Sequence, residues 1–168
     1  MFSSKTVEAL GDLTVADLLT TSVTTVLPDT PIIEIVRIFR DHNYEGIPVV
    51  ENRILKGMAY RRELLNLYFV STRDFDEGDT KKLFSLASLM DPNQPVSSFM
   101  NAAPLTVLPN CKASRLSLLM LENDLFTLPV VEKGKSIFRK SKKKFIGIVT
   151  LTDMMPLLYE AICCGDED

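Results

Sequence analysis

Chemically reactive side chains are scarce in this 168-residue chain. It has a single histidine, His42, and no cysteine close to it in sequence, so no local nucleophile–base dyad can be assembled. There are three cysteines, Cys111 alone and Cys163-Cys164 side by side near the tail. They cannot build a disulfide framework, and with no CxxC or Cys/His spacing they offer no metal site. This usage fits a reducing compartment. No apolar run reaches the roughly 18 residues of a membrane-spanning helix. Met1 to Gly11 has neither the basic start nor the apolar core of a secretory signal. The expected location is the cytoplasm. A net charge of −3 gives no global pull toward nucleic acid or an anionic membrane surface, and 46% hydrophobic with 24% charged residues is ordinary for a globular chain.

What the chain does have is an internal repeat. Thr25-Val26-Leu27-Pro28 returns as Thr106-Val107-Leu108-Pro109, and Pro48-Val49-Val50-Glu51 returns as Pro129-Val130-Val131-Glu132, in one ungapped register. After a longer loop in the second copy the match resumes, with Gly57-Met58-Ala59-Tyr60-Arg61-Arg62-Glu63 against Gly147-Ile148-Val149-Thr150-Leu151-Thr152-Asp153. Two long copies are not the short period of a solenoid or propeller. One copy alone would bury too little apolar surface to be comfortably stable, so the expectation is a pseudo-symmetric unit made from both.

Each copy reads as helix, strand, helix, strand, strand, helix. The opening helices are expected at Val15–Leu19 and Val96–Met100, and the first strands at Val23–Leu27 and Leu105–Leu108, closed by Pro28 and Pro109 because proline cannot donate to a ladder. A core-facing helix follows. Its buried stripe is expected at Ile32, Ile35, Val36 and Phe39, matched by Ala113, Leu116, Ser117 and Met120. Strands are expected at Ile47–Val50 and Leu55–Ala59, and at Leu128–Val131 and Phe145–Val149, with closing helices from about Arg62 to Phe69 and Asp153 to Ile162. Pro156 is placed close to the start of the last helix, where a missing N–H costs least. The fold class is α/β, two pseudo-symmetric motifs packed through small sheets. The segments are a first motif at 13–69, a linker at 70–95, a second motif at 96–162 and an acidic tail at 163–168.

Together the Thr-Val-x-Pro strand end, the hydrophobic-Pro-Val-Val strand and the Gly-hydrophobic-hydrophobic-Thr-x-x-Asp ending resemble the cystathionine β-synthase (CBS) domain, which occurs as a tandem pair, the Bateman module. The resemblance covers nearly everything from Leu13 to Ile162. The second copy follows the pattern, whereas the first has Tyr60 where the family carries Thr or Ser and Glu63 where it carries Asp. The resemblance implies a regulatory module that is not an enzyme. It would bind an adenine nucleotide (AMP, ADP or ATP, with or without Mg2+) or S-adenosylmethionine in the cleft between its motifs. It also implies a homodimer formed through helical faces, and a surplus of apolar residues at Leu118, Leu119, Leu121, Met154 and Met155 agrees. The alternative is a ligand-free dimerisation or protein-interaction module.

Thr150 and Asp153 lie where a strand gives way to a helix, so free N–H groups and the helix dipole there suit a phosphate. Asp153 offers two acceptor oxygens to a ribose diol and Thr150 a donor to phosphate. The same spacing is also a capping box, which merely satisfies orphan N–H groups. Carried over from the family, Thr150 and Asp153 would be completed by Leu19, Val23, Thr24, Tyr44, Glu45, Gly46 and Ile47, with Tyr44 either stacking on adenine or sitting at the core edge. A weaker, pseudo-symmetric cleft would combine Tyr60 and Glu63 with Met100, Pro104, Leu105, Leu125, Phe126 and Leu128. There the bulk of Tyr60 fills space a phosphate would need. Arg61 and Arg62 are expected either to meet a phosphate or to be an exposed helix start. The basic run Arg139-Lys140-Ser141-Lys142-Lys143-Lys144 lacks interleaved aromatics and reads as a solvated loop rather than a nucleic-acid surface. No nucleic-acid or membrane partner is expected, and an unidentified protein partner is left open.

Overall fold

The computed structural model describes residues 12–70, 91–133 and 143–163. In order they form α1 (Val15–Leu18), α2 (Ile32–Asp41), β1 (Gly46–Glu51), β2 (Ile54–Tyr60), α3 (Arg61–Val70), a 3-10 turn (Val96–Ser98), α4 (Ala113–Glu122), β3 (Thr127–Lys133), β4 (Lys143–Thr150) and α5 (Leu151–Cys163).

The expected first strands are absent as strands. Each is reduced to one parallel bridge, Val26 to Val49 and Val107 to Val130. Val26 donates to Pro48 and accepts from Val50, and Val107 repeats this with Pro129 and Val131. Pro28 and Pro109 follow two residues later and have no N–H to extend the pairing. On α2, Ile32 and Ile35 are buried and Ile38 and Phe39 half-buried, but Val36 is exposed. The buried stripe therefore centres on Ile35, a quarter-turn away from the side on which Val36 lies. On α4, Ala113, Leu116 and Met120 are buried as expected, with Ser117 half-buried and its hydroxyl donating to the Ala113 carbonyl. Pro156 falls inside α5 rather than in its first turn, so the Thr152 carbonyl lacks its helical donor.

Two tight reversals need positive φ. Asn52 (51°) and Arg53 (63°) link β1 to β2, the conformation of a type I′ hairpin turn. Asp124 (52°) ends α4. There Leu125 donates to the Met120 carbonyl and Asp124 to that of Leu121, the two bonds of a Schellman motif.

The described chain divides into two compact units, and these cut across the repeat. Unit 1 comprises residues 1–23, 53–55 and 104–168; unit 2 comprises 24–52 and 56–103. In unit 1, β3 and β4 pair antiparallel from Thr127–Thr150 to Lys133–Lys143, and Ile54 pairs with Lys144. The core of unit 1 is Val107, Ala113, Leu116, Met120, Leu128, Val130, Val149 and Met154, joined by Val15 of α1. The core of unit 2 is Val26, Ile35, Ile47, Val49 and Ala59, joined by Val96 of the 3-10 turn. Each core is thus the body of one copy plus the opening valine of the other.

Glycine allows the exchanged segments to come close. Thr20 and Ile148 exchange both backbone hydrogen bonds at 3.0 Å, and Asn101 and Met58 do the same at 2.8 and 3.0 Å. A Cβ on Gly147 would collide with the Thr20 carbonyl, and one on Gly57 would stand 2.7 Å from the Asn101 carbonyl. Only glycine fits at these two crossings.

Candidate ligand-binding site

In unit 1, β4 ends at Thr150 and α5 begins at the next residue. The chain turns there because Asp153 caps it: its Oδ2 accepts from the Thr150 backbone N–H at 2.7 Å and from the Thr150 hydroxyl at 2.8 Å. Both side chains are half-buried, and Oδ1 takes part in neither bond. Leu151 donates to the Phe126 carbonyl, and Thr127 is the register partner of Thr150, so the exposed Phe126 ring is attached beside the corner. Leu19 and Val23 are half-buried in this unit, flanking the Thr20 crossing. Sequence reasoning missed Thr127. Its hydroxyl is buried without a partner among the described residues, and a lone polar residue opening an apolar strand was the available signal.

The capping geometry is not unique to this corner. At α1, Asp17 Oδ2 accepts from the Thr14 N–H and hydroxyl, both at 2.8 Å, and these bonds hold the Asp17 carboxyl below its usual range. The difference lies in the helix behind the cap. α1 has four residues and α5 has 13, so only α5 brings a substantial dipole to its N-terminus.

The equivalent corner in unit 2 is built otherwise. Tyr60 is only 8% exposed, its hydroxyl has no partner among the described residues, and burial first, with Glu63 second, pushes the phenol up to about 12. The Tyr60 N–H reaches Glu63 Oε2 at a longer 3.3 Å. Burial raises the Glu63 carboxyl, opposed by the Tyr60 and Asn101 N–H groups and by Arg62. Met100 is half-buried with its sulfur 2.7 Å from where a Gly57 Cβ would stand.

Of the other unit 2 candidates, Glu45 stands beside the residue that opens α3, Arg61. Its guanidinium donates to Asn43 Oδ1 at 3.3 Å and to the His42 carbonyl at 3.4 Å, lies 3.8 Å from Glu45 and stands 5.7 Å from the Phe39 ring centroid. Arg61 is therefore half-buried and engaged, neither a loose helix start nor an unspent cation. The Thr24 and Tyr44 hydroxyls lie 3.4 Å apart, and the Tyr44 ring is stacked on His42 at 4.9 Å. Gly46 and Ile47 are buried at the start of β1.

The stronger candidate set is divided between units, with Leu19, Val23, Thr150 and Asp153 in unit 1 and Thr24, Tyr44, Glu45, Gly46 and Ile47 in unit 2. The weaker set places Tyr60, Glu63 and Met100 in unit 2, and buried Pro104 and Leu128, half-buried Leu105 and Leu125 and exposed Phe126 in unit 1. Of the basic run, positions 139–142 lie outside the described residues; Lys143 is exposed and Lys144 pairs with Glu132 at 2.7 Å. Among the described residues no three His, Cys, Asp or Glu side chains gather as metal ligands, and no helix is long and apolar enough to cross a membrane.

Residues 15–69 and 96–160 each match the family described as "CBS domain". The CBS domain-containing protein YhcV of Bacillus subtilis is 30% identical over 140 residues, covering 83% of this chain and 81% of that one. The uncharacterized protein MJ1426 of Methanocaldococcus jannaschii is 26% identical over 149 residues, 79% of this chain and 84% of its own. Among solved structures, CBSX2 in complex with AMP superposes with a TM-score of 0.63 at 24% identity, covering 88% of this chain and 96% of that one. The CBS domain pair of MJ0100, in complex with 5′-methylthioadenosine and S-adenosyl-L-methionine, gives 0.61 at 18% identity, covering 87% and 95%. With both copies matched and the fold shared, this chain belongs to the CBS-domain family as a tandem pair of its motifs.

Proposed function

We propose that the chain is a regulatory sensor, without catalytic activity of its own, that binds an adenosine-containing compound at the Thr150–Asp153 corner. The observation that carries this is the placement of a half-buried hydroxyl–carboxylate pair on the N-terminus of the 13-residue α5. Asp153 Oδ1 faces no internal demand from the cap and can accept from a ribose hydroxyl, while the first N–H groups of α5 favour a phosphate. The CBS pairs of similar fold in complex with AMP, or with 5′-methylthioadenosine and S-adenosyl-L-methionine, support the ligand class. Within unit 1, Thr20 pairs with Ile148 on the strand that ends at Thr150, and Leu19 lies beside Gly147 of the same strand. Regulation follows from differential affinity, since a ligand shifts a conformational equilibrium only as far as it prefers one state.

The test is thermal unfolding with AMP, ADP, ATP and S-adenosylmethionine, each with and without Mg2+, beside a guanine nucleotide and the Asp153→Ala variant. A ligand at 100 times its Kd stabilises by about 2.7 kcal/mol. One adenosine compound should raise the midpoint of the wild type and leave the variant unmoved. No response to any of them at millimolar concentration would sink the sensor reading in favour of a ligand-free interaction module.

The proposed assembly is a homodimer through the second copy's helices. Leu118 and Leu121 on α4 are 49% and 74% exposed, and Met155 and Tyr159 on α5 are 49% and 67% exposed. In the first copy the repeat places Arg37 and Arg40 where the second has Leu118 and Leu121, so these two apolar positions belong to the second copy only. Burying these side chains against their own twin removes apolar surface from water.

A further inference from the structure

The repeat supplies two strand-to-helix corners at equivalent positions, Thr150–Asp153 and Tyr60–Glu63, and they differ in the side chain that opens them. At the second-copy corner the side chain is small, half-buried and hydrogen-bonded to its own carboxylate at 2.8 Å. At the first-copy corner a phenol ring stands in its place, 8% exposed, with a covered hydroxyl that has no partner among the described residues. A buried hydroxyl left without a partner destabilises the fold. Ring volume, not the hydroxyl, is therefore what this position contributes.

We propose that Tyr60 is a built-in plug that occupies the first copy's corner, so that the chain binds one adenosine compound rather than two. This inference rests on the sensor reading above. Two further features of the same corner agree with it. Arg61, the cation that opens α3, is committed to Glu45, Asn43, the His42 carbonyl and Phe39, and does not serve the corner. The Glu63 carboxylate, one methylene longer than Asp153, meets the Tyr60 N–H at 3.3 Å, against 2.7 Å at the second corner. Burial already disfavours its charge, and a phosphate would add a second anion beside it.

Isothermal titration with AMP, and in parallel with S-adenosylmethionine, reads the number of sites per chain. The wild type should bind one equivalent, Asp153→Ala none, and Tyr60→Phe one, because phenylalanine keeps the ring. The double variant Tyr60→Thr/Glu63→Asp copies the second corner into the first and should bind two. A wild type that binds one equivalent and an Asp153→Ala that keeps it would overturn both the plug and the assignment of the ligand to the Asp153 corner. Two equivalents on the wild type, or a site lost in Tyr60→Phe, would each overturn the plug while leaving the sensor reading intact. So would a folded double variant that still binds one. If the double variant does not fold, Tyr60→Thr alone opens the same corner: it should bind two equivalents, and a folded Tyr60→Thr that binds one would overturn the plug. A wild type that takes up neither probe removes the sensor reading itself, and the plug with it.

Discussion

Asp153 has two separable tasks at one position, and substitutions can divide them. Asp153→Ala removes the cap and should cost about 1 kcal/mol of stability. Asp153→Asn keeps a capping oxygen and should recover most of that loss in a denaturant titration. It should not recover the response to an adenosine compound, because the amide's one oxygen is spent on the cap and its NH2 offers the ribose no acceptor. If Asn restored both, the carboxylate would have no ligand role. Glu63 gives the residue-scale pH dependence. Its folded-state pKa is raised above the ordinary 4.5, so between those two values the folded chain holds the proton the unfolded chain has released. Stability therefore falls as pH rises through that window, and the penalty is absent below it and fully present above it. Glu63→Gln should raise the melting midpoint at neutral pH, and the gap to the wild type should narrow on acidification. A gap independent of pH would mean that Glu63 is not strained by burial.

Among the elements, the β1–β2 turn carries a removable strain. Arg53 holds a φ of 63°, which an L side chain adopts at a cost of roughly 1–2 kcal/mol. Arg53→Gly creates the Asn-Gly pair favoured in type I′ turns and should raise stability by up to about 1 kcal/mol in urea unfolding. A loss of stability would show that the arginine side chain matters more than its backbone. Strands β1 to β4 and both long helices of each copy were legible from apolar runs and from the three- and four-residue spacing of buried positions. The first strands were not, because their sequences are apolar enough to pair but a proline truncates the pairing to a single bridge. The exchange of opening segments was illegible for a different reason. Val15 and Val96 are the same residue, and the two bodies offer matching partners, Leu116 and Ile35, Leu128 and Ile47, Val130 and Val49. A pattern that repeats cannot say which body receives which opener. The Thr150–Asp153 corner stood out because motif and spacing coincide there. The engagement of Arg61 with four partners depends on the path of the 42–45 segment, which no local pattern encodes.

For the whole molecule, the asymmetry of the exposed helical faces predicts how the chain associates. If the chain assembles as proposed, the wild type should sediment as a dimer and Leu121→Asp as a monomer, with little change in the unfolding midpoint at high dilution, since Leu121 is 74% exposed and adds almost nothing to the monomer's core. The same sedimentation coefficient for both would overturn this face as a dimer contact. A second expectation concerns continuity of the chain. Cut between residues 90 and 91, the amino-terminal fragment would lack Val96 and the carboxy-terminal one Val15, each a fully buried member of the other fragment's core. Neither fragment should melt cooperatively alone, and mixing them should restore a single transition in circular dichroism.

The reciprocal lodging of Val15 and Val96 also bears on descent. A gene encoding one copy would yield a product whose opener has no seat in its own body, and the seat it fits would be on a sister molecule. Two such molecules would have to trade openers to complete their cores, as an obligate pair. Duplication and fusion would then have made an existing partnership permanent without inventing a new contact. Once the halves shared one gene, each was free to diverge, which is how a tyrosine could arise in one corner while its twin kept threonine.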